Sequence, residues 1–339
     1  MGGRGLTKAS TARRLAAAAA YGGGGLGLLG GSLYGLLRAQ AHWARRVIGP
    51  RQPDPPDPTG VYGHGLTGEP VTIALLGDSA ACGYGMPDAT MTPGALLAAG
   101  LAEIAERPVH VGVHAVIGAD SRNLDEQINE ALHNPPDVTV IIIGANDVTH
   151  SARHGDAIRL LTEAVRRLQE AGSKVVVGTC PDLGSVRPIA PPLRQVARTL
   201  SRRLAAGQTV AVVEAGGTTV SLGALLGPEF DREPGHYFGP DQFHPSAAGY
   251  QSVAAALLPT VAAALELWPE AEEEPETFRG EGVLPVAYAA AEAVEAAGTE
   301  VSGTEIAGRK RGARGRWVML RHRRRRAIPD VERLDDVST

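Results

Sequence analysis

Three short stretches hold side chains capable of acyl chemistry: Gly77-Asp78-Ser79, Gly144-Ala145-Asn146-Asp147 and Asp241-Gln242-Phe243-His244. A serine hydroxyl is a weak nucleophile until a base takes its proton. His244 is the candidate base. Asp241, three residues earlier, can reach the imidazole Nδ1, fix its tautomer and stabilise the imidazolium. The oxyanion of a tetrahedral intermediate needs donors, and three are available: the backbone N–H of Ser79, the backbone N–H of Gly118 and the side-chain amide of Asn146. Gly at 118 lets the backbone approach a substrate closely. No step of this chemistry calls for a metal or an organic cofactor.

These residues are useful only if the chain brings them together, and its patterning says how. Val71 to Leu76 is a short apolar run closed by Gly77, a buried strand. Val109 to Ile117 is β-rich, and Val138 to Ile143 is an unbroken β-branched run. Lys174 to Gly178 and Val210 to Val213 complete five expected strands. Helices are expected over Ala95 to Ala105, Arg122 to Leu132, Asp156 to Ala171, Pro192 to Ala206 and Ser246 to Leu267, the last with Pro245 at its first turn. Apolar strands alternating with helices imply a parallel sheet covered on both faces. Ligands of such sheets bind beyond the carboxyl ends of the strands. That rule alone selects Ser79, Gly118 and Asn146. His244, restrained by Pro245 to an extended backbone, should project from a loop before the last helix.

The order Gly-Asp-Ser, a mid-chain Gly, Gly-x-Asn-Asp and Asp-x-x-His resembles the SGNH/GDSL hydrolase superfamily over about residues 70–267. The resemblance implies a flavodoxin-like three-layer α/β/α sandwich with about five parallel strands. It implies Ser79 as nucleophile, Gly118 and Asn146 in the oxyanion hole, and Asp241 and His244 completing a triad. The activity implied is hydrolysis of acyl esters through an acyl-enzyme; the layout is similar to exported bacterial GDSL esterases. The same residues would serve acyl transfer to a glycan or lipid hydroxyl, and an inert lipid- or surface-binding module is the remaining alternative. The absence of a Gly-x-Ser-x-Gly elbow argues against an α/β-hydrolase.

Other tempting residues have plainer readings. Cys82 and Cys180 are too far apart in sequence for a metal pattern and read as buried thiols. His110 and His114 lie on a strand with no evident third ligand; His150 and His154 read as surface residues at a helix start. Asp147 reads as a holder of its turn. Gly83-Tyr84-Gly85 lacks the Lys-Ser/Thr of a phosphate loop. Arg187 and Arg194 either border the pocket or are solvated.

Charge is unevenly spread. Of the net −4, residues 52–308 carry −19, whereas residues 1–51 hold eight Arg/Lys and no acid, and residues 309–326 hold ten and no acid. An acidic body with basic ends does not fit a nucleic-acid binder; it fits a domain whose ends meet anionic lipid. Leu15 to Leu37 is an uncharged run of 23 residues, long enough to cross roughly 30 Å of hydrocarbon as a helix. Ala39-Gln40-Ala41 would serve a signal peptidase, but the run exceeds an ordinary signal core. Residues 1–41, with the apolar run 15–37, therefore read as a membrane anchor of an envelope or exported protein, its orientation unset by flanking charge. Residues 42–69 read as a linker, with five prolines in 50–59; 70–268 is the hydrolase domain. Residues 269–339 are an acidic linker and a basic appendage, part disordered, with a helix over Val286 to Ala297 and a hairpin from Thr299 to Ile306 and Trp317 to Leu320 as the ordered option. The run Arg321 to Arg326 is a candidate for phospholipid contact. Partners are thus a small acyl-ester or lipid substrate and a membrane. An aromatic content of 4% offers little for stacking sugars.

Overall fold

The computed structural model describes residues 31–48, 54–267 and 300–301. The apolar run before residue 31 and the appendage apart from 300–301 lie outside the described residues.

Among the described residues, seven strands form one sheet in the order β1-β3-β2-β4-β5-β6-β7. They are β1 (Gly60–Tyr62), β2 (Val71–Gly77), β3 (Val109–Val113), β4 (Val138–Ile142), β5 (Lys174–Gly178), β6 (Thr218–Val220) and β7 (Glu300–Val301). The five central strands are parallel, and their order is that of a flavodoxin-like sheet, which reverses direction of travel at β2. Both edges are antiparallel: β1 on β3 and β7 on β6. β1 lies within the segment that reads as linker.

Ten helices accompany the strands: α1 (31–48), α2 (Ser79–Cys82), α3 (Pro93–Ala105), α4 (Leu124–Ala131), α5 (Ala145–Thr149), α6 (His154–Glu170), α7 (Leu193–Glu214), α8 (Leu222–Arg232), α9 (Pro234–Tyr237) and α10 (Ala247–Ala264). Strand side chains alternate between faces, and the two cores follow that alternation. Val71, Ile73, Leu75, Val138, Val140 and Ile142 meet α3, α8 and α10. Ala74, Leu76 and Ile141 meet α4, α6 and the end of α7. α10 is long and apolar enough to span a membrane by composition, but 61% of it is buried inside the fold. It is the central helix of one layer.

The fifth parallel strand is not Val210–Val213. The helix expected to stop at Ala206 runs on to Glu214. Its β-branched end is satisfied as helix because Val212 and Val213 are buried against the sheet, a case of packing overriding propensity. Gly207 does not break the helix: a Cβ there would come within 2.4 Å of Ile158, so the glycine lets α6 and α7 approach closely. The chain turns at Gly216, φ +92, and β6 follows. The last helix likewise starts later than expected, with Ser246 as its N-cap and Pro245 outside it.

Candidate active site

The nucleophile candidate sits where β2 ends. Asp78 caps the short helix α2, accepting the Ala80 N–H at 2.9 Å, and Ser79 is the first residue after it. The strand tip is held from both sides. The buried Gln127 of α4 accepts the Gly77 N–H at 2.7 Å and donates to the Gly77 carbonyl at 2.9 Å, while Asp78 N–H donates to Ile142 O. Gly77 has φ +131, and a Cβ there would lie 1.9 Å from Ile142 O. Only glycine allows β2 to press its tip against β4. A second buried amide repeats the device next door: Gln208 of α7 accepts from Cys180 N at 2.7 Å and donates to Ile143 O at 3.1 Å.

Gly118 lies in the loop after β3. Ala119 N–H donates to Val116 O, closing a turn whose third residue, Gly118, has φ +79. A type II turn requires that left-handed conformation. The loop is joined to α5 by three contacts. Asn146 Nδ2 donates to Ala119 O at 2.9 Å; Ser121 donates its N–H and Oγ–H to Asp147; and His150 Nδ1 lies 3.2 Å from Asp120 Oδ2. Asn146 thus has its second amide hydrogen left over. Among the described backbone pairs, neither Ser79 N–H nor Gly118 N–H donates to a backbone acceptor.

The imidazole arrives on a tight loop between α9 and α10, closed by a bridge from Phe238 to Pro245. Asp241 Oδ1 accepts the N–H groups of Phe243 and His244, both at 3.0 Å, and Oδ2 lies 2.7 Å from His244 Nδ1. His244 Nε2 lies 3.0 Å from Ser79 Oγ. With Nδ1–H donating to the carboxylate, Nε2 is the acceptor for the serine hydroxyl. The ring is bracketed by aromatics: Tyr84 at 4.5 Å between centroids and Phe243 edge-on at 4.8 Å.

Burial governs the carboxylates here. It pushes Asp241 upward, but the imidazole and backbone donors outweigh it and leave the group below its ordinary value. Burial pushes the wholly buried Asp78 up to about 6, against the Ala80 N–H and the nearby His244. Burial raises Asp147 as well, against the Ser121 donors. Arg122 holds Asp120 well below the usual range. The two thiols, Cys82 and Cys180, are free and buried, and burial drives Cys82 to about 12.

Ser79, His244 and Asp241 therefore meet, and Asn146 and the Gly118 turn meet at one mutual contact. The Asp147 side chain holds the Ser121 loop rather than its own turn. Arg187 is exposed and pairs with Asp231, and Arg194 donates to Ile189 O and Arg187 O, bracing the loop before α7. Gln127, Gln208, Ser121 and Tyr84 escaped the sequence reading; for Tyr84 the only signal was its place in the glycine pair after Ser79.

A strand-tip serine and an imidazole–carboxylate pair from the last loop thus lie together on an α/β/α fold with a parallel five-strand core. Residues 75–252 match the family model for GDSL-like lipases and acylhydrolases, and the chain belongs to that family. It is 43% identical over 236 residues to the GDSL-like esterase Rv1075c of Mycobacterium tuberculosis, covering 66% of this chain and 74% of that one. Solved structures of similar fold include TesA, at 19% identity and TM-score 0.46 over 57% of this chain and 99% of the other. Another is a mutant of the acetyl-xylooligosaccharide esterase Axe2 from Geobacillus stearothermophilus, at 19% identity and TM-score 0.46 over 56% and 94%. The protein is a carboxylic ester hydrolase.

Proposed function

We propose that ester hydrolysis runs through a covalent acyl-enzyme on Ser79. His244 Nε2 takes the hydroxyl proton as Oγ attacks the ester carbonyl, and Asp241 holds the imidazolium that results. The oxyanion is met by the N–H groups of Ser79 and Gly118 and by the second amide hydrogen of Asn146. Collapse expels the alcohol, which takes its proton from His244. Water, deprotonated by the same imidazole, then attacks the acyl-serine and releases the acid.

The observation that carries this reading is the continuous line Ser79 Oγ, His244 Nε2, His244 Nδ1, Asp241 Oδ2, with separations of 3.0 and 2.7 Å. A small acyl ester fits it. Val116, exposed and hydrogen-bonded through its N–H to Gly77 O, and the half-buried Phe243 give the rim an apolar character.

The test uses full-length protein with p-nitrophenyl acetate and butyrate and a fluorophosphonate label. Ser79→Ala is expected to lower kcat by at least about 10³-fold and to abolish labelling. Full turnover by that variant would reject the nucleophile, and labelling elsewhere would redirect it. Acyl transfer predicts the same losses, and only ester product formed with an added alcohol would favour it.

A further inference from the structure

Helix α1 presents three stripes. Leu37, Gln40, Ala41, Ala44 and Ile48, spaced by three or four residues, are the less exposed set. Ala44 is buried in the core, and Gln40 makes a double contact, donating to Pro191 O at 2.6 Å and accepting from Leu193 N at 3.2 Å. Along one flank of that set lie Arg38, His42 and Arg45, and Arg46 lies opposite it; residues 31–48 contain no acid. Along the other flank, next to Arg46, Leu36, Trp43 and Val47 are 47%, 54% and 41% exposed. A helix docked on a soluble domain turns polar residues outward; this one turns out an apolar stripe instead. An open groove of about 400 Å³, lined by Ala39, Gln40, Trp43 and Ala190, continues it.

What covers this stripe follows from the chain around it. The uncharged run Leu15 to Leu37 ends inside α1, and residues 1–51 carry eight bases and no acid. An apolar face bearing tryptophan, bordered by Arg46 on a helix that carries only basic charge, matches the boundary between acyl chains and anionic headgroups.

The docking point also has a definite place. Gln208 of α7 bridges Ile143 and Cys180 at the carboxyl edge of the sheet. Leu193 lies fifteen residues earlier, about 22 Å along the helix axis, so the start of α7 overhangs that edge. α1 is fastened to that overhang, on the end of the sheet where Ser79 lies.

We propose that α1 is an interfacial helix that seats the catalytic end of the domain on an anionic phospholipid bilayer, with Leu36, Trp43 and Val47 among the lipids. The placement does not depend on the roles given to Ser79 or His244.

The chain has three tryptophans, so Trp268→Phe with Trp317→Phe leaves Trp43 as the sole reporter in the full-length protein. On vesicles of equal parts phosphatidylcholine and phosphatidylglycerol with brominated chains, Trp43 emission should shift to the blue and fall about twofold or more. Adding Leu36→Glu and Val47→Glu should remove that quenching and leave p-nitrophenyl acetate turnover in solution unchanged. Unquenched Trp43 on vesicle-bound protein would overturn the proposal. So would quenching that survives both glutamates, which would assign lipid contact to the run before α1. A blue shift that needs only higher protein concentration would give the face to a second copy and would overturn it as well.

Discussion

The two sides of the site are built in opposite ways. The serine side is assembled from distant parts: Gly77 is clamped by Gln127, fifty residues away, and the Gly118 turn is tied to α5 by Asn146, Asp147 and His150. The histidine side is local. Asp241 and His244 share one short loop, and three of the hydrogen bonds that shape it come from the Asp241 carboxylate. The first side depends on the fold, and the fold depends on it; the second could lose its chemistry and leave the fold standing. Damage should therefore separate cleanly into lost activity on one side and lost stability on the other.

The sharpest separation is Asp241→Asn. The amide can still accept the two backbone N–H groups, but it cannot stabilise the imidazolium and favours the wrong tautomer. We expect kcat to fall by about 10⁴-fold with the melting temperature little changed; a large melting shift would mean that the loop is not independent. Gln127→Leu should do the reverse. It strands the buried N–H of Gly77, whose C=O keeps the Val116 N–H, and should cost about 1–3 kcal/mol in denaturant unfolding, with any lost turnover secondary to the displaced strand tip. A fully active, equally stable variant would remove the clamp from the account.

Asp78→Asn probes the serine side through pH. Asp78 has a folded-state pKa raised to about 6, so ionising it disfavours the native state. The parent's stability contribution from this group is complete below about pH 4 and is lost as pH rises through about 6. The asparagine variant should match the parent at pH 4 and gain on it up to about pH 6, by no more than about 3 kcal/mol. Melting curves across that interval decide it; a constant difference at every pH would contradict the assignment. The smallest effect is expected at Phe243→Leu, which removes an edge-on ring contact with His244. That contact is worth about 0.5–1.5 kcal/mol, so denaturant unfolding should lose no more than that and kcat should drop by at most about tenfold.

The same contrast explains what could be read from the chain. The reacting groups were legible because each belongs to a short motif at a strand or helix boundary, and the carboxyl-end rule places strand boundaries without any side-chain detail. Gly118 was legible by its place past an expected strand; the turn it closes was not. The parallel core was legible because its strands are continuous apolar runs. The supports were not. Gln127 and Gln208 sit within helical patterns as ordinary polar residues, and nothing local marks them as buried clamps on backbone 28 to 65 residues away. Val210–Val213 misled because β-branched composition is a weak guide once a helix end is packed on a sheet. The edge strands β1 and β7 are too short to show alternation.

The loop that carries Asp241 and His244 has a kinetic consequence. Because the carboxylate grips both the backbone and the ring of the same histidine, any swing of the loop moves acid and imidazole as one body. Breathing then alters a single coordinate, the gap to Ser79, while the ring keeps its tautomer. Under the proposed mechanism, rate is lost in proportion to the time spent apart and regained whole on each closure.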